Sequence, residues 1–211
     1  MDVIEAVKKR KSIRGYKPDP VPKQVLEKIL ELASHAPSAM NTQPWEFTVL
    51  TGGLLENVRR SNVELLSSGA PPNPEHVVVS WPVESIYRQR QVNLAKQLFQ
   101  LMDIPREDKE KRAKWIERGF RYFDAPTAII VCTDRCLSES GPLLGIGAVI
   151  QTICLSALYF GLGTCIEDQG TMYPEVLRKY AHIPEPKRII AAIAIGYPDW
   201  DFPANKVETE R

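Results

Sequence analysis

The sequence predicts an α+β fold, a central mixed β-sheet packed between helices. Three observations carry this. Short, β-branched apolar runs at "EFTVLT" (46–51), "APTAIIVCT" (125–133) and "RIIAAIAIGYP" (188–198) have the length and composition of strands. Between them lie segments with helical periodicity. The two kinds alternate without a regular βαβ spacing, which speaks against a doubly wound sheet.

Taken in order, "DVIEAVKKRKS" begins with a capping pattern, Asp2 followed by Glu5, and carries an apolar face of Val3, Ile4 and Val7. Pro20 and Pro22 introduce "PKQVLEKILELASHA", where Leu26, Ile29, Leu30 and Ala33 form one stripe of a helix that stops before Pro37. After the strand 46–51 comes a helix, "LLENVRRSNVELLSS". Residues 69–82 are rich in proline and turn formers. The segment 83–118 carries two charged helical stretches and reads as an insertion. Beyond the strand 125–133 lie an uncharged helix (143–160), the stretch "GLGTCIEDQG", the helix "YPEVLRKYA" and the last strand. With 211 residues, 44% of them hydrophobic, the chain suits one domain, 1–211, with its own core.

Composition removes several function classes. A net charge of +1 gives no chain-wide field for nucleic acid or an acidic membrane. The N-terminus has acids early and no apolar core, unlike a signal peptide. The uncharged run 140–166 is interrupted by Gln151, Thr152 and Ser156 and has no close Lys/Arg flank, so it reads as a buried helix. Cys132, Cys136, Cys154 and Cys165 have no histidine near them; they read as small buried hydrophobes in a reducing cytoplasm, with no metal. "GIGAVI" and "GLGTCI" lack the third glycine of a dinucleotide fingerprint. With no local nucleophile signature, a bound cofactor is the expected carrier of any difficult chemistry.

Two constellations remain. "KKRKSIRGYK" (8–17) holds six basic side chains and Ser12. It reads as a solvated face, as a localisation or nucleic-acid patch, or as an anion site. In an extended segment Arg10, Ser12 and Arg14 project to one side, where they suit a phosphate or an anionic ring edge. "PSAMNTQPWEF" (37–47) concentrates hydroxyl and amide groups before a tryptophan. Alone, it is a proline-closed loop with Trp45 as its anchor.

Together, "RKSIRGY" and "APSAMNTQPWEFTVL" resemble the nitroreductase family of FMN-dependent oxidoreductases. "FDAPTAIIV", "GIGAVIQTICLSALYFGLGTC" and "IAIGYPD" follow in the family's order, so the resemblance covers nearly the whole chain. The middle segment is most similar to the nitrobenzoate-reductase-like branch. The resemblance implies a homodimer with FMN at the subunit interface. Arg10, Ser12 and Arg14 would hold the flavin's phosphate, ribityl chain and pyrimidine edge, and Lys11 would add a main-chain contact and positive potential. Arg14 would stabilise the charge that gathers on the reduced ring. Pro37, Ser38, Ala39, Asn41 and Gln43 would reach the flavin from the other subunit, while Ile166, Glu167 and Asp168 would run along the ring. Arg121 is a further contact.

The implied reaction is ping-pong. NADH or NADPH reduces the bound FMN and leaves, and an electron-poor acceptor such as a nitroaromatic or quinone follows. The insertion 83–118, with Trp81, Tyr87 and Trp115, is a candidate lid and selectivity element; packing between helices is the other account of those aromatics. The alternatives are a same-family enzyme of different reaction (dehalogenation, flavin fragmentation or dehydrogenation), a non-catalytic flavin-binding protein, and a basic-armed nucleic-acid binder. The sequence departs from the family pattern at Ile166, where many relatives have proline, and at Gly119, where similar ones have asparagine. Relatives also continue past "NKVETER" into a segment that wraps the partner. Arg211, with Lys206 as the alternative, matches the late basic residue that binds the FMN phosphate.

Overall fold

The computed structural model describes residues 1–209. Its elements run α1 (Val3–Lys9), α2 (Lys23–Ala33), β1 (Glu46–Thr51), α3 (Gly52–Ser68), α4 (Ile86–Leu101), α5 (Lys109–Phe120), β2 (Thr127–Asp134), α6 (Leu143–Tyr159), β3 (Gly163–Glu167), α7 (Pro174–Ala181) and β4 (Lys187–Gly196). The strands form one sheet in the order β1-β2-β4-β3.

The mixed sheet expected from the sequence is antiparallel in all three strand pairs. Its parallel component is a single bridge, Ser12 to Thr164, at the free edge of β3. Strand β3 had no separate assignment in the sequence. At five residues containing Gly163, it is too short and too broken for an alternation signal.

Helices cover both faces of the sheet, and strand alternation sorts the core accordingly. Ile129, Val131, Ile193 and Ile195 point toward α2 and α6, while Ala128, Ile130, Ala192 and Ala194 point toward α3 and α7. A bulge opposite Val131 and Cys132 places Ile190 and Ala191 on the same face. Helix α2 buries Leu26, Ile29 and Ala33. Its two large side chains contribute about 1.5–3 kcal/mol each. The uncharged α6 is the core helix expected, burying Val149, Ile150, Ile153 and Ala157. Among the described residues no helix is long and apolar enough to cross a membrane.

Helix α1 differs from expectation. Its Asp2 cap forms, the carboxylate accepting the Glu5 N–H at 2.8 Å. However, its apolar face is largely left open among the described residues: Val3 is 76% exposed, Ile4 68% and Val7 54%. The inserted α4 and α5 sit on a smaller cluster of their own, where Leu94, Leu98 and Trp115 meet Phe202, Ala204 and Val207.

Candidate cofactor site

The basic segment forms an arm. Helix α1 ends at Lys9, and the chain then runs extended along β3, with the Ile13 N–H donating to the Thr164 carbonyl at 2.9 Å. Side chains alternate along it. Lys11 and Ile13 border a cavity of about 240 Å³ with Leu162, Gly163, Pro198 and Trp200. Arg10 instead lies near the Cys154 thiol, and Ser12 and Arg14 near that of Cys165. The close approach of arm and strand needs a glycine at 163, because a Cβ there would sit 2.5 Å from Ile13 Cγ1.

Arg10, Lys11 and Arg14 pair with no carboxylate among the described residues. Arg10, Ser12 and Arg14 share one side of the extended segment, with Lys11 adding charge from the other, and together they form a donor set suited to a phosphate and an electron-rich ring edge. The arm is also held firmly. The Asn205 side chain, 1% exposed, accepts the Arg14 and Gly15 N–H groups at 2.7 and 3.2 Å and donates to the Gly15 carbonyl at 2.8 Å. The Arg14 guanidinium lies 5.9 Å from the Phe123 ring centroid.

The 37–47 loop occupies another place. Ser38 Oγ accepts the Gln43 N–H at 2.9 Å, and Gln43 Nε2 donates to Asn41 Oδ1 at 3.3 Å. Trp45, 9% exposed, packs into the core and anchors the loop. Met40, Asn41 and Gln43 all have left-handed backbone, with φ of 53°, 57° and 45°. Such strain is held at a cost and clusters at functional sites. Pro37, Ser38, Ala39 and Pro44 line a cavity of about 390 Å³ with Leu144 and Gly145 of α6.

Within one chain the two constellations do not meet. Ser38 and Pro44 crowd Gly145 near the start of α6, whereas the arm lies beside Cys154. Those positions are about 14 Å apart along the helix at 1.5 Å per residue.

The turn after β3 is more divided than expected. Ile166 is 42% exposed, but the Glu167 side chain turns into the core. Its Oε2 accepts the Gly170 N–H at 2.9 Å, while Oε1 has no partner among the described residues. Burial pushes its pKa up to about 8. The Glu167 carboxyl group is therefore not presented to a neighbouring ligand. The Asp168 carbonyl accepts the Thr171 amide and hydroxyl at 3.0 and 2.8 Å.

Other expected residues separate clearly. Arg121 is engaged internally, its Nε donating to Asp124 Oδ1 at 2.7 Å. At Gly119 the space that an asparagine side chain would use is filled by Gln169, whose Oε1 lies 1.9 Å from where a Cβ would stand. Trp115 packs in the α4/α5 cluster, 6.4 Å from Phe123. Tyr87 is 59% exposed, and Trp81 is half-buried with its indole N–H unpartnered among the described residues. Lys206 lies in the C-terminal 3₁₀ turn, Pro203–Lys206; Arg211 falls outside the described residues. Asn205 and Arg118, which hold the arm, had no sequence signal, since neither belongs to a motif and each acts on residues distant in the chain.

Comparison with known proteins agrees with this architecture. The chain is 32% identical to the nitrobenzene nitroreductase of Ectopseudomonas oleovorans, over 99% of this chain and 92% of that protein. It is 31% identical to the 4-nitrobenzoate reductase of Nocardioides sp., over 97% and 84%. The crystal structure of the FMN and NADPH-dependent nitroreductase NfnB from Sphigopyxis sp. strain HMH superposes with a TM-score of 0.94 at 25% identity, covering 100% of this chain and 95% of that one. The sequence profile of the nitroreductase family matches residues 7–197, and the chain belongs to that family.

Proposed function

We propose that the protein is an FMN-dependent oxidoreductase that takes electrons from NADH or NADPH and delivers them, in ping-pong order, to electron-poor acceptors, nitroaromatics above all. The observation that carries this is the arm: Arg10, Lys11 and Arg14, without a carboxylate partner among the described residues, flank Ser12 in a chain of the nitroreductase family. FMN, when bound, supplies the hydride and electron chemistry that no side chain here provides. Arg10, Ser12 and Arg14 hold its anionic and polar edges, and Lys11 adds positive potential. Arg14 contributes a fixed cation where negative charge gathers on reduction, which is useful because it is preorganised. The main chain of residues 166–168 borders the ring.

The loop of Pro37, Ser38, Ala39, Asn41 and Gln43 completes the site from a second copy of the chain. Two features support a homodimer: the separation of loop and arm along α6, and the exposed apolar stripe of Val3, Ile4 and Val7. We take residues 1–211 as one domain, with 83–118 as the element that shapes acceptor access through Trp81 and Tyr87; Trp115 acts there by packing. Four free cysteines, three of them buried, fit the reducing cytoplasm.

The test is direct. Purified protein should be yellow, release FMN on denaturation, bleach anaerobically with NADH or NADPH, and recolour on addition of nitrobenzene or 4-nitrobenzoate. Colourless protein that FMN cannot reconstitute would sink the proposal. Light scattering should give twice the chain mass.

A further inference from the structure

We infer that Arg118, on helix α5 of the insertion, is a positioning residue for the cofactor arm and aims Arg14. This rests on the reading above that Arg14 faces FMN. Arg14 cannot aim itself. Its guanidinium has no carboxylate partner among the described residues, and its one side-chain hydrogen bond, to the Ser12 carbonyl, is long at 3.4 Å. A side chain with so many rotamers loses up to about 2 kcal/mol when held in one, so its direction must come from its backbone and from the surface beneath it.

Arg118 grips both. Its Nη2 donates to the Arg14 carbonyl at 3.1 Å and to the Phe123 carbonyl at 3.3 Å. Phe123 is the ring beneath the Arg14 guanidinium. One side chain therefore fixes the main chain of the aimed residue and of the residue on which it rests. Arg118 is itself held from two directions. Asp124 Oδ2 accepts from its Nη1 at 2.9 Å, and the Phe202 ring lies 4.8 Å from its guanidinium carbon. The planar, five-donor guanidinium suits this task, and a lysine ammonium can copy only part of it.

The Phe123 side of the grip needs such a clamp. Tyr122, Phe123 and Asp124 are three consecutive residues with left-handed backbone, at φ of 54°, 53° and 59°. Non-glycine residues adopt this region at a cost of roughly 1–2 kcal/mol each, usually singly. The turn persists because neighbours over-determine it, and Arg118 contacts two of its three residues. The insertion thus reaches the arm from behind, as a strut, in addition to any part it plays over the acceptor.

The experiment compares wild type, Arg118→Gln and Arg118→Lys. Apoprotein is titrated with FMN by quenching of flavin fluorescence, and the midpoint potential of the bound flavin is measured against redox dyes. The Gln variant should bind FMN roughly five- to thirtyfold more weakly, the ratio that one or two lost interactions give. Its bound flavin should have a lower potential, and the Lys variant should lie between. Thermal destabilisation of the Gln variant with wild-type affinity and potential would show a purely structural staple and overturn the inference. If that variant does not fold, Asp124→Asn keeps Arg118 but removes its anchor, and wild-type values for both quantities there overturn it equally. Wild-type protein that binds no FMN defeats the flavin reading itself, an outcome distinct from wild-type binding that Arg118 does not alter.

Discussion

Asn205 Oδ1 accepts the main-chain N–H of Arg14 at 2.7 Å, across 191 residues of chain. The same carboxamide accepts from Gly15 and donates to the Gly15 and Asp199 carbonyls, so all its hydrogen-bonding directions are used inside the protein. Replacing Asn205 by Ala strands these buried groups. We expect a loss of about 2–4 kcal/mol in urea unfolding, together with weaker FMN binding. Unchanged stability would mean that water replaces the carboxamide without cost.

Glu167 gives stability a pH dependence of unusual sign. Its carboxyl is raised from the ordinary 4.5 to about 8 by burial, so the folded state holds a proton that the unfolded chain releases. The group's contribution is therefore full below pH 4.5 and is lost as pH rises toward about 8, at on the order of 1 kcal/mol per pH unit. Above about 8 it is constant. Glu167→Gln should flatten the profile in that window, which denaturant midpoints between pH 5 and 8 will measure. A profile identical to wild type would place a charged Glu167 in the folded state.

Thiol chemistry should single out Cys136. Cys132, Cys154 and Cys165 are buried, with the first pushed up to about 12 and the last to about 11; Asp134 raises the Cys136 thiol too, but Cys136 is exposed to the reagent. Since the thiolate is the reactive form, native protein should take up one equivalent of maleimide and unfolded protein four. Labelling beyond one in the native state would reveal opening of the core around β2, α6 or β3.

Gly163→Ala tests the seat of the arm. The new Cβ would stand 2.5 Å from Ile13 Cγ1 and 2.8 Å from Pro198 Cγ. Ile13 lies between Ser12 and Arg14 and would have to move. Overpacking of this kind costs about 1–3 kcal/mol. FMN affinity, read by fluorescence titration, should fall with it; unchanged affinity would show that the arm adjusts without moving its polar side chains.

Much of this protein was legible because periodicity reports local burial. The stripe of α2, the apolar run of β2 and the uncharged α6 were visible for that reason, and the arm's alternation followed from extended geometry. The edge strand β3 was not, since its pairing is decided by Ile13 and β4. Glu167 was visible as a motif position, but its direction depends on a hydrogen bond from Gly170 in the following turn and on the distant Tyr122 beside that turn. Arg118 and Asn205 carry no local pattern at all. Their roles are defined by partners 104 and 191 residues away.

The arm is synthesised well before its lock. At roughly 5–20 residues per second, residue 205 follows residue 14 by about 10–40 s. Throughout that interval the nascent chain carries Arg10, Lys11 and Arg14 without the carboxamide that sets their backbone. A chain interrupted before Asn205 is synthesised would present the basic motif in full and still lack the pairing that shapes it.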